Sequence, residues 1–328
     1  MKDVIIVTGG LGFIGSNLIK HLNTLGYDNI IIIDNPKDNF KIRNINNLKF
    51  LDFFDYKCNI IKTIDNIKES YDISFIFHLG ANADVLETDA SKIFHSNVTH
   101  SKYWLHTANQ LNIPFVYASS SAVYGNSKSF IPDIDTDIQP LNLYGFTKAT
   151  FDKYVWVNKS TWKNTVIGLR FFNVFGEGEY HKGKNASIPY RFYESIKNSI
   201  FQSPKIELFK TEPIIKRDYI YVQDLVKILT SILTGKFESG LYNIGGGNPV
   251  GHDEVAEIVI QCFVDNNILN DPNHNNINYI KYIDVPNTLR NTLQYYTEAQ
   301  DMKSYFKHMI GDNKEQIKAY INNLIKNK

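Results

Sequence analysis

The sequence predicts an α/β fold, a doubly wound parallel sheet with a smaller α+β lobe. Two observations carry this. Apolar, β-branched runs alternate with helix-like stretches through the first half of the chain. The first such run, Val4–Thr8, passes through the turn Gly9-Gly10-Leu-Gly12-Phe-Ile-Gly15 into residues with helical apolar spacing.

The elements follow in order. Val4–Thr8 reads as a strand and Ile14–Leu25 as a helix. Asn29–Asp34 is continuously apolar before its final Asp, as expected of a strand covered on both faces. Phe50–Phe53 is a third strand, ending beside Asp52. Ser74–Leu79 and Phe115–Ser119 are further strands, Lys92–Leu111 and Tyr144–Ser160 helices, and Val166–Val174 a strand. Beyond these the pattern is less regular. Helices are expected at Ser187–Ser199, Leu225–Thr234 and Glu315–Lys328, with a short strand Leu241–Ile244 before the glycine turn 245–247. The Asn- and Asp-rich stretch 265–278 around Pro272 reads as an exposed loop. We expect residues 1–172, with returning segments near 219–244 and 287–297, to form the larger domain. The rest of 173–328 forms a lobe over the sheet's ligand edge.

Composition narrows the function classes. A hydrophobic fraction of 43% fits a folded globular chain. Thirty-five basic and 34 acidic residues leave a formal charge of +1, so there is no electrostatic case for nucleic acid or an anionic membrane. No apolar stretch approaches the roughly 18 residues of a spanning helix. A first strand from residue 4 leaves no room for the charged head of a signal peptide. Cys58 and Cys262 lie too far apart for metal or redox spacing, and no metal is expected. A cytoplasmic location is the expectation.

The glycine turn is built to bind. Without Cβ atoms at Gly9, Gly12 and Gly15 the backbone turns tightly and approaches a pyrophosphate at the helix N-terminus, with Phe13 and Ile14 beside it. Asp34 ends the second strand about twenty residues on, where a ribose contact is expected in such a Rossmann-type unit. A carboxylate there disfavours a 2′-phosphate, whereas Lys37, Lys41 and Arg43 suit one, so NAD and NADP both remain open. Asn35, Asp52, Leu79, Gly80, Ala81 and Asn97 are the other candidate cofactor contacts. His78 reads as a residue that positions backbone near the cofactor rather than a catalyst.

Ser119, Ser120 and Ser121 end the fifth strand, at the edge where ligands bind in such sheets. Ser120 is a candidate for hydrogen bonding a substrate oxygen, and Tyr124 a core or pocket-wall residue. Tyr144 and Lys148 share a helix face. A phenol with a pKa near 10 is a poor base. A nearby ammonium and a positive nicotinamide ring favour the phenolate. Lys148 can also hold the nicotinamide ribose. Together these residues suggest nicotinamide redox chemistry at an alcohol carbon.

The motifs Thr8–Gly15, Ser119-Ser120, Tyr144-x-x-x-Lys148, Arg170-Phe-Phe-Asn-Val-Phe-Gly176 and Arg217-Asp-Tyr-Ile-Tyr-Val-Gln-Asp224 resemble the extended short-chain dehydrogenase/reductase family in order and spacing. That resemblance implies a cofactor domain, a nucleotide-sugar lobe and a homo-oligomer. Asp34-Asn35 with Lys41, Pro140–Gly145 and above all His181-Lys182-Gly183 are similar to the branch that epimerises a nucleotide-linked heptose at C6″. This implies tightly bound NADP, with Lys41 near the 2′-phosphate and Lys182 as a second acid/base opposite Tyr144. Asn173, Arg191 and Arg217 are the expected substrate contacts, Arg217 toward the diphosphate. Lys184 and Leu293 depart from the branch's pattern at the substrate's edge, which leaves the base and sugar open. The alternatives are a UDP- or GDP-sugar 4-epimerase, a dehydratase or decarboxylase, and a dinucleotide-binding protein without turnover. Ser120-Ser-Ala lacks the Asp-Glu pair of a dehydratase, and Ser120, Tyr144 and Lys148 together exceed what a sensor needs.

Overall fold

In the computed structural model, residues 1–36, 39–134, 138–201, 203, 205–270 and 279–327 are described. Lys37 and residues 271–278 of the expected loop lie outside them.

Six strands of a parallel sheet come from the first half: β1 (Lys2–Thr8), β2 (Ile30–Asp34), β3 (Asp52–Asp55), β4 (Tyr71–His78), β5 (Phe115–Ser120) and β6 (Val166–Phe171). The strand Gly240–Ile244 returns beside β6, and the spatial order is Gly240–Ile244, β6, β5, β4, β1, β2, β3. The chain moves outward from β1 to β3 and then crosses back to β4. The order therefore reverses between β1 and β4, which opens a crevice at their carboxyl ends.

Period-two alternation of apolar side chains covers both faces. Ile5, Val7, Ile32 and Phe77 pack under the helices Phe13–Thr24 and Val222–Thr234. Their neighbours Val4, Ile6, Ile31 and Ile33 face the opposite layer, with Ile64, Trp104, Leu105 and Phe151 from the helices Ile60–Ser70, His100–Leu111 and Leu143–Val157. A separate core holds the second lobe. Phe192, Ile196, Val259, Phe263, Ile317 and Ile321 join the helices Ile188–Ser199, His252–Asp265 and Asn313–Lys326. No helix among the described residues is long and apolar enough to cross a membrane.

The structure departs from the sequence-based expectation at four places. The third strand starts at Asp52 instead of ending there, so Asp52 pairs with Ile31 and Asp55 with Asp34. The run Val166–Val174 breaks at Phe172, whose amide donates to Ile244 in the large sheet. Asn173–Phe175 pairs instead with Tyr219–Tyr221 in a sheet of two. The helix expected from Lys92 starts at Ala90 and carries a π turn at His95–Thr99. The segment near 287–297 does not enter the sheet. It holds a short helix, Asn287–Arg290, and meets Lys216 through Tyr296.

The glycine turn has no room to spare. A Cβ on Gly15 would stand 2.2 Å from the Gly9 carbonyl oxygen, a backbone atom that cannot move aside cheaply. Gly15→Ala is expected to destabilise the fold by about 1–3 kcal/mol through overpacking. A thermal unfolding midpoint equal to that of the parent chain would contradict this packing.

Candidate active site

A cleft of about 580 Å³ lies at the β1/β4 crevice. The glycine turn supplies one wall through Gly9, Gly12, Phe13, Ile14 and Gly15, and the end of β2 adds Asp34, Asn35 and Lys41. Leu79, Gly80 and Ala81 after β4 supply a second wall, and Lys182 a third. The two turns nearly touch: a Cβ on Gly9, whose φ is +73°, would stand 2.8 Å from the Gly80 Cα. Only glycine satisfies both the angle and the approach.

Thr8 and His78 fix that approach. The Gly80 amide donates to Thr8 Oγ1 at 3.0 Å, and Thr8 Oγ1 lies 2.9 Å from His78 Nδ1. The Ser101 hydroxyl donates to the Asn97 carbonyl, so His78 Nε2, 2.8 Å from Ser101 Oγ, must be the donor there. His78 is then neutral, with Nδ1 accepting from Thr8. Burial, then the nearby Lys148 and His100, push its pKa well below the ordinary range. The positioning role expected for His78 agrees with this.

Asp34 does more than face the cleft. Its Oδ2 accepts from the Leu11 amide at 2.9 Å and ties β2 to the glycine turn. Its Oδ1 accepts from the Asn35 amide at 2.6 Å and from Lys41 Nζ at 2.7 Å. The Lys41 ammonium therefore offsets the negative charge that would repel a 2′-phosphate.

Two cofactor candidates lie outside the cleft lining. Asp52 opens β3 at the edge away from the cleft, where its Oδ2 accepts from the Tyr71 hydroxyl at 3.1 Å. Tyr56, just past β3, lines the cleft in its place, and the misplaced strand end concealed it. Asn97 is buried and occupied: it accepts from the Asn82 amide and donates to the Asn82 carbonyl and to Thr147 Oγ1. It holds the loop after β4 instead of presenting its amide to a ligand. Asn82, Asp84 and Asn185 also line the cleft, and Asn185 Nδ2 reaches Asp84 at 3.4 Å. That pair spans 101 residues, and no local pattern announces it.

The Tyr144 group stands at the end of β5. Asn142 caps the helix Leu143–Val157 by accepting from the Gly145 amide at 2.8 Å. A Cβ on Gly145 would lie 2.6 Å from the Ala122 carbonyl, so the missing side chain lets the helix press against the strand end. Ser120 stands there, its hydroxyl accepting from the Ala122 amide at 3.1 Å. Burial raises the Tyr144 pKa, and the Ser120 hydroxyl opposes this. The sequence had suggested a lowered phenol through Lys148. Instead the Lys148 ammonium donates to the Ala118 carbonyl at 2.7 Å, 6.0 Å from the centre of the Tyr144 ring. Burial brings Lys148 down to about 8.

Lys182 sits in a 3₁₀ turn, Tyr180–Asn185, broken at Gly183 (φ +52°). Its ammonium lies 5.4 Å from the centre of the Phe13 ring, against the glycine turn. Burial lowers its pKa, and Glu179 opposes this. Asn44 ties this loop to the glycine turn by donating to the carbonyls of Leu11 and Gly178. Lys184, two residues on, is exposed and does not line the cleft.

The other substrate candidates lie toward the second lobe. Asn173 donates to the Asp218 carbonyl at 2.8 Å. Arg217 donates to the carbonyls of Lys216 and Gln294, the latter next to half-buried Leu293. Burial lowers Arg217 to about 10. Arg191 and Arg217 both act on half-buried His252, which desolvation and these two charges depress to about 3. Among the described residues neither guanidinium has a carboxylate partner, so their charge is available to an anion. His252 was not singled out from sequence.

Lys148 titrates near 8, so a function that needs its ammonium is expected to fade as pH rises through about 8. Retention of bound dinucleotide, measured by gel filtration from pH 6.5 to 9.5, should fall there and be weak at every pH in Lys148→Met. Equal retention across that range would remove Lys148 from cofactor binding.

The model of the NAD dependent epimerase/dehydratase family matches residues 5–245. A curated ADP-L-glycero-D-manno-heptose-6-epimerase from Brachyspira hyodysenteriae is 34% identical over 304 residues, 92% of this chain and 90% of that protein. The Helicobacter pylori enzyme of the same name has a similar fold, with a TM-score of 0.78 at 21% identity over 99% of this chain and 96% of its own. The UDP-N-acetylglucosamine 4-epimerase of Methanobrevibacter ruminantium is similar over the whole of both chains, with a TM-score of 0.79 at 23% identity. With the glycine turn, the β1/β4 crevice and the Ser120–Tyr144–Lys148 group in place, the chain belongs to the NAD dependent epimerase/dehydratase family.

Proposed function

We propose that this protein is a nucleotide-sugar epimerase that inverts C6″ of an ADP-linked glycero-manno-heptose, with tightly held NADP. The observation that carries it is Lys182, which lines the same cleft as the glycine turn and stands against Phe13. The 34% identity to a heptose 6-epimerase supports the same substrate class.

Gly9, Gly12, Gly15, Asp34 and Lys41 would hold a nicotinamide dinucleotide in the cleft, which would supply a reversible hydride acceptor there. The chain's residues handle the protons. Loss of hydride from C6″ and of a proton from its hydroxyl leaves an aldehyde. Rotation about the C5″–C6″ bond presents the other face, and return of hydride and proton gives the epimer with no net redox change. One acid/base cannot serve both hydroxyl orientations well, so Tyr144 and Lys182 take one each. Burial shifts both toward their neutral forms, a phenol with a proton to give and an amine with a lone pair to accept. Ser120 orients the reacting oxygen. Arg191 and Arg217 hold the diphosphate, and Asn173 is a third substrate contact. The Lys41–Asp34 pair supports NADP over NAD, since the ammonium offsets the carboxylate charge that would repel a 2′-phosphate.

Incubation with ADP-D-glycero-D-manno-heptose and proton NMR at C6″ tests this reading. Conversion to the L-glycero epimer is expected. Recovery of starting material alongside conversion of a UDP-hexose would instead favour a 4-epimerase. Lys182→Met should lower kcat at least about 100-fold in both directions, the usual loss for a missing acid/base. Wild-type turnover of both epimers by this variant would refute the two-sided site. The mass of cofactor released on denaturation distinguishes NADP from NAD.

A further inference from the structure

We propose that Asp152 is a positioning residue of the acid/base group: it fixes the strand end that carries Ser120 and supplies the negative charge that faces Lys148. The proposal rests on the roles given above to Ser120, Tyr144 and Lys148.

Asp152 is fully buried one helical turn beyond Lys148. Its Oδ2 accepts from Ser119 Oγ and from Arg170 Nε, each at 2.9 Å, and its Oδ1 accepts from the Tyr117 hydroxyl at 3.1 Å. Tyr117 and Ser119 flank Ala118, whose carbonyl receives the Lys148 ammonium. One carboxylate therefore grips β5 on both sides of the residue that holds Lys148, and directly before Ser120.

Stability alone does not account for this arrangement. A buried ion pair adds little over well-packed apolar residues of similar volume, and it costs desolvation of both charges. Asp152 and Arg170 are both wholly shielded from solvent, and Arg170 Nη2 has no hydrogen-bond partner among the described residues. The charge has a further use. The groups that act on Lys148 are Tyr144 and Asp152 from its own helix, His78 from β4 and the Ala118 carbonyl of β5. Arg170 from β6 lies beyond Asp152 and turns to the Tyr124 hydroxyl. Of these, only Asp152 carries negative charge. Burial alone would drive the ammonium toward the neutral amine, and Asp152 opposes that.

The test needs no substrate. Nitrogen-15 NMR of lysine-labelled protein follows the Lys148 side chain, assigned by the signal lost in Lys148→Met. In Asp152→Asn its titration midpoint should fall by about one pH unit or more, the size expected when a nearby opposite charge is removed. It should recover in Asp152→Glu. If Asp152→Asn does not fold because Arg170 is left unpaired, Asp152→Asn/Arg170→Gln removes both charges and should show a smaller fall in the same direction, because the nearer charge dominates. An unchanged Lys148 midpoint with a lowered thermal midpoint would overturn the proposal and leave Asp152 a structural residue only. With a turned-over substrate, the alkaline limb of kcat should move with the midpoint while KM holds. The NMR result stands even if the heptose is not the substrate.

Discussion

The site depends on backbone approaching backbone. The turn after β1 and the turn after β4 come so close that a Cβ on Gly9 would collide with Gly80. Around that contact the Gly80 amide, Thr8 and neutral His78 form one chain of hydrogen bonds, extended by Ser101 to the Asn97 carbonyl. Asn97 then reaches both the Asn82 loop and Thr147, on the helix that carries Tyr144 and Lys148. The cofactor crevice and the acid/base group are thus parts of one rigid frame. Such a frame favours catalysis that relies on fixed geometry.

Burial sets the protonation of the groups placed in that frame. It pushes Tyr144 up and brings Lys148 and Lys182 down. Each shift is opposed by a local partner: Ser120 for Tyr144, Asp152 for Lys148 and Glu179 for Lys182. The two lysines therefore stand closer to neutral proton exchange than free side chains do, as expected where pKa values are matched to a task, while Tyr144 is held as the protonated phenol. At the far end, Arg191 and Arg217 have no carboxylate partner among the described residues, which suits an anionic ligand. Under the proposed function, the redox and proton-transfer groups gather at the sheet edge, and anion binding lies toward the second lobe.

The sheet was legible in the sequence because its strands are short, apolar and separated by helical spacing. Gly9, Gly12, Gly15, Asp34, Tyr144 and Lys148 were legible because their offsets follow from one strand–turn–helix and one helical turn. Local pattern failed where tertiary pairing decides. β3 is only half-buried, so its apolar residues gave no firm end, and Asp52 was assigned to the wrong edge. The chain leaves one sheet for another at Phe172, inside a run whose apolar residues read as one strand. Asn97 carried the right chemistry for a ligand, but a loop 15 residues away consumes it. His252, Asn185 and Tyr56 acquire meaning only through neighbours distant in sequence.

The central claim is that a bound dinucleotide takes hydride from one face of C6″ and returns it to the other. The most direct measurement uses ADP-D-glycero-D-manno-heptose deuterated at C6″, converted in ordinary water and read by NMR. The expected L-glycero product keeps its deuterium at C6″ through many turnovers. Epimer formed with deuterium lost to solvent would mean proton abstraction at carbon, and would contradict it.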